Sequence, residues 1–386
     1  MPWLRFALIA VVGIGLIISF HVYLYRRLVR DVSTERRTRQ IGGAVLAALA
    51  VLMVAALPLN RVLPREIGEW VGFAAFGWMG VLAITVGVIG VLDVLRLPLA
   101  IRRRRRQEPL DPTRRLAISR GVATLATLGA TATATAGVRS ALSAPRVVEI
   151  DVPLTHLPPG LRGLRIAQLS DVHVGPTIGK AFIEDVVRRV NAMNVDLVAI
   201  TGDLVDGTVG RLGEHVAPLA NLKSRHGTFF VTGNHEYYSG AEPWMAELRR
   251  LGVRVLRNET ELLDHGGTPL EVIGVDDWQA YGGDHGYAPD KAAADRDPRR
   301  AALMLAHRPR AVDDAARLKV DLMLSGHTHG GQIWPFGWFV RFVEPYVLGL
   351  HQHTERTFVY VSPGTGYWGP PMRVRVPAEI TLLTLV

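Results

Sequence analysis

The chain has 386 residues, 48% of them hydrophobic, with a mean hydropathy of +0.18 and no cysteine. That length allows one large domain and a further region. The missing cysteines exclude disulfides, thiolate metal sites and cysteine nucleophiles, so any metal must be held by nitrogen and oxygen ligands.

The net charge of +9 suggests a nucleic-acid binder only until it is divided. Residues 1–144 carry 19 Lys and Arg against 7 Asp and Glu, a net +12, and the remainder carries 25 against 28, a net −3. The basic excess therefore belongs to the apolar N-terminal region, which points to membrane topology. No nucleic-acid motif accompanies it, and no nucleic-acid partner is expected.

Residues 3–25 hold a single charge, Arg5, and are long enough to span a bilayer, which takes about 20 apolar residues. A cleaved signal peptide fits less well, because the stretch has neither a weighty basic start nor a small-residue cleavage site before Arg26. Uncharged apolar runs follow at 41–59 and, tolerating Asp93, at 71–95. Basic clusters at Arg26–Arg39 and Arg102–Arg106 flank these runs, whereas the loop from Asn60 to Trp70 is balanced. By the positive-inside rule the two basic segments face the cytoplasm and the N-terminus lies outside.

Residues 121–143 are uncharged up to Arg139 but rich in Ala, Thr and Gly. Arg114-Arg115 upstream resembles a twin-arginine export signal. The segment reads as a fourth span or an export-type anchor. The alternative is a linker helix that leaves everything downstream in the cytoplasm. The first reading predicts a multi-pass inner-membrane protein of three to four helices over residues 1–145, with the domain at 146–386 on the periplasmic side.

From Arg146 the pattern changes. Strands are predicted at 147–152, 164–169, 197–200, 228–231, 253–256, 270–275, 301–306, 320–324, 357–361 and 379–385. Helices are predicted at 178–193, 209–223, 243–251 and 312–318. This alternation argues for an α/β layered domain, and the excess of strands for two packed sheets with helices outside. The aperiodic stretch Trp278–Pro298, with His285 among its glycines, reads as a lid, a substrate loop or a plain surface insertion.

Five apolar strands are each followed by Asp, Asn or His. Ser170-Asp171-Val172-His173 follows the second strand, and Gly202-Asp203 the third. Gly233-Asn234-His235-Glu236, the lone His307 and Gly326-His327-Thr328-His329 complete the series. In α/β sheets the ligand crevice lies at these carboxyl ends. Alone, His-x-His is a weak signal; five strand ends in order are a strong one.

In that order the motifs resemble the calcineurin-like metallophosphoesterase superfamily, from about Arg162 to the C-terminus. The closing Ser362-Pro363-Gly364 and Gly369-Pro370-Pro371-Met372-Arg373 look like its membrane-associated bacterial branch. The resemblance implies a two-sheet β-sandwich flanked by helices and a centre of two divalent metals, Mn, Fe or Zn, with Mn favoured. It implies that Asp171, His173 and His329 bind one metal, that Asn234, His307 and His327 bind the other, and that Asp203 bridges both. Such a centre hydrolyses a phosphodiester or pyrophosphate by attack of a metal-activated hydroxide. His235 is implied as the acid at the leaving group, and Asp206 as its partner. Glu236 reads as structural. Gly207 stands where the protein-phosphatase branch has an arginine, which argues against phosphoprotein substrates.

The membrane tether suggests a lipid-linked or envelope phosphoester as substrate. An anchored phosphodiesterase or nucleotidase for soluble substrates is the alternative, and a degenerate membrane sensor or scaffold a weaker one. His215, His226 and His265 read as ordinary surface or core residues. His351 and His353 form a second His-x-His, without glycine neighbours, and read as bystanders.

Overall fold

The computed structural model describes residues 2–106, 111–280 and 286–386. They fall into two compact units, residues 1–138 with 369–372, and residues 139–368 with 373–386.

The first unit contains α1 (Pro2–Leu24), α2 (Arg36–Val62), α3 (Arg65–Arg105) and α4 (Pro112–Ala141). Each is long and apolar enough to cross a membrane. The connection expected from Asn60 to Trp70 is much shorter, since α2 runs to Val62 and α3 begins at Arg65. Polar residues at these helix ends still satisfy their backbone within the helix, so charge marks where the span leaves the apolar layer, not where the helix stops.

In the second unit β1 (Arg146–Val152), β2 (Arg165–Leu169), β3 (Leu197–Thr201), β4 (Thr228–Val231), β5 (Arg254–Val255) and β12 (Glu379–Leu385) form one sheet, in the order β1-β12-β2-β3-β4-β5. A second sheet has the order β10-β11-β9-β8-β7-β6. Its strands are β6 (Glu259–His265), β7 (Thr268–Gly274), β8 (Ala301–Leu305), β9 (Leu322–Ser325), β10 (Gly349–Gln352) and β11 (Phe358–Val361). Strands β2-β3-β4 and β7-β8-β9-β11 run parallel within their sheets. Their near-continuous apolar sequences follow from burial on both faces.

Alternation along the strands sorts the core into layers. Ile166, Leu197, Ala199 and Phe229 of the first sheet meet Val272, Leu303, Leu322 and Leu324 of the second. Ala167, Val198 and Phe230 turn outward onto α5 (Lys180–Ala192), α6 (Val209–Val216) and α8 (Ala241–Arg250). Met304, Met323 and Val359 pack on α10 (Val312–Arg317). This is the two-sheet sandwich flanked by helices that the sequence leads one to expect.

Departures are local. The helix expected to reach Lys223 stops at Val216 and continues as a 3₁₀ turn over Ala217–Asn221, because Pro218 has no N–H to carry on the α-helical ladder. Strands β6 and β10 and helices α7 (Asn234–Ser239), α9 (Pro289–Ala292) and α11 (Gly337–Val340) are additions to the sequence reading. Both strands are edge strands, and β6 buries only Leu263, so neither shows a strong apolar signal. His285 lies outside the described residues.

Candidate metal centre

The loops that leave β2, β3, β4, β8 and β9 converge. Gln168 bridges the two sheets beneath them, donating from Nε2 to Thr201 Oγ1 and to the Ser325 carbonyl, both at 2.9 Å. Backbone hydrogen bonds stitch the first two loops together, His173 N to Asp203 O at 3.1 Å and Val174 N to Leu204 O at 2.8 Å. Glu236 is fully buried and accepts from three backbone N–H groups, Gly233 at 2.7 Å, Leu204 at 2.8 Å and Asp203 at 3.0 Å. It joins the β3 and β4 loops at the start of α7, where its carboxylate caps the Gly233 N–H.

The backbone is strained where the donors sit. Asp171, His173, Asp203, His327 and His329 all have φ between 50° and 68°. This left-handed region is uncommon for residues with a Cβ, and such outliers persist only where their surroundings over-determine them. Gly326 allows the close approach of the β9 loop, since a Cβ there would run into Ser170 Oγ and Asp171 Oδ2. In its place the His327 N–H lies 3.0 Å from both Asp171 carboxylate oxygens.

Two clusters of donor atoms result, beside a third at the rim formed by His173, Asp206 and His235. Asp171, His173 and His329 form the first, and Asp203, His307 and His327 the second. In the first, His173 Nε2 lies 3.2 Å from His329 Nε2, and His329 Nε2 lies 3.4 Å from Asp171 Oδ1. In the second, His307 Nε2 lies 3.1 Å from Asp203 Oδ2 and 3.2 Å from His327 Nδ1. Asp203 Oδ2 also approaches His173 Nε2, at 4.0 Å, so one carboxylate oxygen faces both clusters.

These donors suit cations. Asn234 Oδ1 and His329 Nδ1 are buried without a hydrogen-bond partner among the described residues, an anomaly for the amide oxygen that a nearby cation would remove. Nitrogen and oxygen donors suit Mn, Fe or Zn. Burial holds the His327 imidazole down at about 2, helped by the His307 and Arg308 charges. Burial, with the His173 and Arg373 charges, also holds His329 well below its usual range. Both are therefore neutral at ordinary pH, the form in which imidazole ligates metals. Burial would lower His307 too, but Asp203 prevails and lifts it to about 10. Thus a proton occupies the Asp203–His307 pair that a cation would have to displace.

At the rim, Asp206 Oδ1 accepts from His235 Nδ1 at 2.6 Å and from His173 Nδ1 at 3.0 Å. Burial alone would raise the Asp206 carboxyl, yet the two imidazoles hold it well below the usual carboxylate range. Burial would lower His235, but its bond to Asp206 and the Asp203 charge outweigh that and raise it to about 9. His235 is therefore protonated at neutral pH and half-buried, with Tyr238 and Trp368 edge-on at 5.4 and 5.6 Å between ring centroids.

Sequence reasoning missed several supports. Ser170 Oγ donates to Asp171 Oδ2 at 2.5 Å, and His307 Nδ1 lies 2.8 Å from the Thr201 carbonyl. Arg373 is buried and donates to the Gly366, Pro363, Gly364 and Val376 carbonyls. The closing motif contains Arg373, yet an arginine that bonds carbonyls leaves no charge pattern to read. The bystander histidines lie on other contacts. His226 Nε2 faces His265 Nδ1 at 3.0 Å, and His215 Nδ1 accepts from Lys180 N at 3.2 Å.

Residues 164–331 match the calcineurin-like phosphoesterase family model. A Bos taurus protein named "Transmembrane protein with metallophosphoesterase domain" is 38% identical over 384 residues, covering 94% of this chain and 86% of that protein. The chain belongs to the calcineurin-like phosphoesterase family. A Danio rerio protein of the same name is 33% identical over 390 residues, covering 96% of the chain and 87% of its own length. An "Uncharacterized metallophosphoesterase" of Helicobacter pylori is 41% identical over 253 residues, covering 65% of the chain and 66% of that protein.

This calcineurin-like phosphoesterase is thus a hydrolase of phosphoric esters with candidate residues for divalent metal ions, and it is a membrane protein. The vertebrate relatives carry this combination beyond the bacterial branch that the closing motifs suggest.

Proposed function

We propose that the chain is a dinuclear-metal phosphoesterase that cleaves a phosphodiester or pyrophosphate bond on a lipid-linked or envelope substrate. The observation that carries this reading is the pair of donor clusters facing a single carboxylate oxygen of Asp203. Asp171, His173 and His329 would hold one cation, and Asn234, His307 and His327 the other, with Asp203 shared. Two such cations, Mn favoured, would supply charge against the phosphoryl oxygens and would make hydroxide available near neutral pH.

The chain's own residues do the rest. Ser170 and the His327 N–H orient the Asp171 carboxylate. Asp206 orients the His173 ring and keeps His235 protonated. His235 then gives a proton to the leaving oxygen, as a group charged at neutral pH can, and Asp206 stabilises the imidazolium until that transfer. Glu236 fixes the loops that carry Asp203 and His235.

The reading extends to placement. Residues 1–145 form the membrane region and 146–386 the catalytic region. With the two basic segments cytoplasmic and α4 crossing the membrane, the catalytic region lies on the periplasmic side of the inner membrane. Reporter fusions after Pro145 test this, and a fusion active only in the cytoplasm contradicts it.

The substrate reading is tested with the full chain in detergent, stripped with a chelator and reloaded with Mn. Hydrolysis of an aryl phosphodiester and of a detergent-dispersed lipid pyrophosphate is then compared. The reading expects metal-dependent turnover of both, faster on the lipid. Equal or faster turnover of the soluble ester would favour a soluble substrate, and no metal-dependent turnover would leave a scaffold.

A further inference from the structure

Four residues beyond His329, the chain enters a loop unlike the rest of the catalytic unit. Residues 333–343 read Ile-Trp-Pro-Phe-Gly-Trp-Phe-Val-Arg-Phe-Val, with no acidic side chain and one basic one. Its rings face outward. Trp334, Phe336, Trp338, Phe339, Phe342 and Val343 are all exposed, Trp338 at 64% and Phe342 at 86%. Isolated exposed apolar residues are ordinary, but a contiguous aromatic patch marks an interaction surface.

The loop is built rather than loose. Phe336 N donates to Ile333 O at 2.8 Å, Trp338 N to Pro335 O at 3.0 Å and Val343 N to Val340 O at 2.9 Å, around the single helical turn α11 (Gly337–Val340). Its base is tied down by Val374 N to Gln332 O at 2.9 Å and Trp334 N to Val374 O at 3.2 Å. Gln332 also exchanges two hydrogen bonds with the Trp368 backbone, at 2.8 and 3.0 Å, and the Trp368 ring flanks His235. The aromatic surface is therefore one residue step from the rim of the metal centre.

Its chemistry selects the partner. Trp and Phe with flanking arginines are the side chains of a membrane–water interface. Arg341 and Arg375 are exposed, and the Arg375 guanidinium lies 5.2 Å from the Trp334 ring centroid, where both can meet anionic headgroups. Glu344, the first acid after the loop, is buried and paired with Arg310 at 3.1 Å, so its carboxylate does not oppose such a surface. The spans in the same chain keep a bilayer within reach.

We propose that residues 333–343 form a membrane seat, with the aromatic rings in the interfacial layer of a lipid bilayer and Arg341 and Arg375 at headgroup level. The seat brings the rim of the metal centre to lipid headgroups, whatever ester is cleaved there.

The cysteine-free chain allows a clean test. A nitroxide at Phe342→Cys is compared with one at Leu262→Cys, an exposed position on edge strand β6, in the full chain in nanodiscs of phosphatidylethanolamine and phosphatidylglycerol. Collision with oxygen should exceed collision with a nickel chelate at position 342, corresponding to a depth of about 5–10 Å. The order should reverse at position 262. Adding Trp338→Ser and Phe339→Ser should return the 342 label to the 262 behaviour, with aryl phosphodiester turnover within about twofold of the parent, as for changes outside the reacting atoms.

A 342 label as open to the nickel chelate as 262 overturns the seat. So does a label shielded from both reagents with spin–spin broadening, which would mean that a second copy covers the patch. Depth is read without turnover, so its failure is separable from failure of the phosphoesterase reading.

Discussion

The chain contains two His-x-His pairs with the same spacing and different environments. His327 and His329 lie just past the carboxyl end of β9, between glycines, at φ 68° and 51°, and burial keeps both imidazoles neutral. His351 and His353 lie at and just beyond edge strand β10, half-buried. His351 Nε2 contacts the Leu348 carbonyl at 2.9 Å, and its ring stacks on Tyr346. His353 reaches Tyr346 Oη at 3.1 Å and Asp313 at 3.2 Å. Spacing alone does not make a ligand pair. Position at a strand end, with other strand ends delivering carboxylates beside it, makes His327 and His329 the candidate pair.

The sharpest way to break this contrast is to truncate the first pair. His327→Ala or His329→Ala should each reduce aryl phosphodiester hydrolysis by about 10³-fold or more, since the donors act as a unit. A loss below tenfold in steady-state kinetics would remove the distinction between the two pairs. Next in size, His235→Ala should lower kcat by about 10²–10⁴ while metal content stays at the parent level, the signature of a lost general acid.

Asp206→Asn should cost less, about 10–100-fold, as expected when the partner of a ligand or acid is removed. It should also change the pH profile. As the proposed acid, His235 would have to be protonated to act, so activity should fall as pH rises through its value of about 9. Asp206 supplies part of the upward push, beside the Asp203 charge, so without it the alkaline limb should move to lower pH. An unmoved limb would show that His235 is not the titrating group. Smallest of all, His351→Ala and His353→Ala should leave kinetics unchanged and stability within about 0.5 kcal/mol by denaturant titration, as for substitutions away from special features. Loss of activity in either would draw β10 into the site.

Most of the sandwich is legible from the sequence because its central strands are apolar on both faces and bounded by glycine or polar residues, as Leu197–Thr201 and Leu322–Ser325 show. The strand-end donors are legible for the same reason, since each apolar run stops at one. Edge strands β6 and β10 are not, because half of each faces solvent. The supports of the site are hidden for another reason. Glu236 acts on backbone N–H groups and Arg373 on carbonyls, and neither leaves a residue-type partner in the sequence. The sharing of Asp206 between His173 and His235 depends on a fold contact across more than 25 residues. The aromatic loop 333–343 is plain in the sequence as composition, but only exposure distinguishes it from core.

The central claim is that His327 and His329 serve different cations around a shared Asp203. Metal analysis of the Mn-reloaded full chain tests it most directly. Two equivalents per chain in the parent, falling towards one in His327→Ala and in His329→Ala, with Asp203→Ala depleting both, is the predicted result. A single equivalent in the parent, or full metal content in either histidine variant, would contradict it.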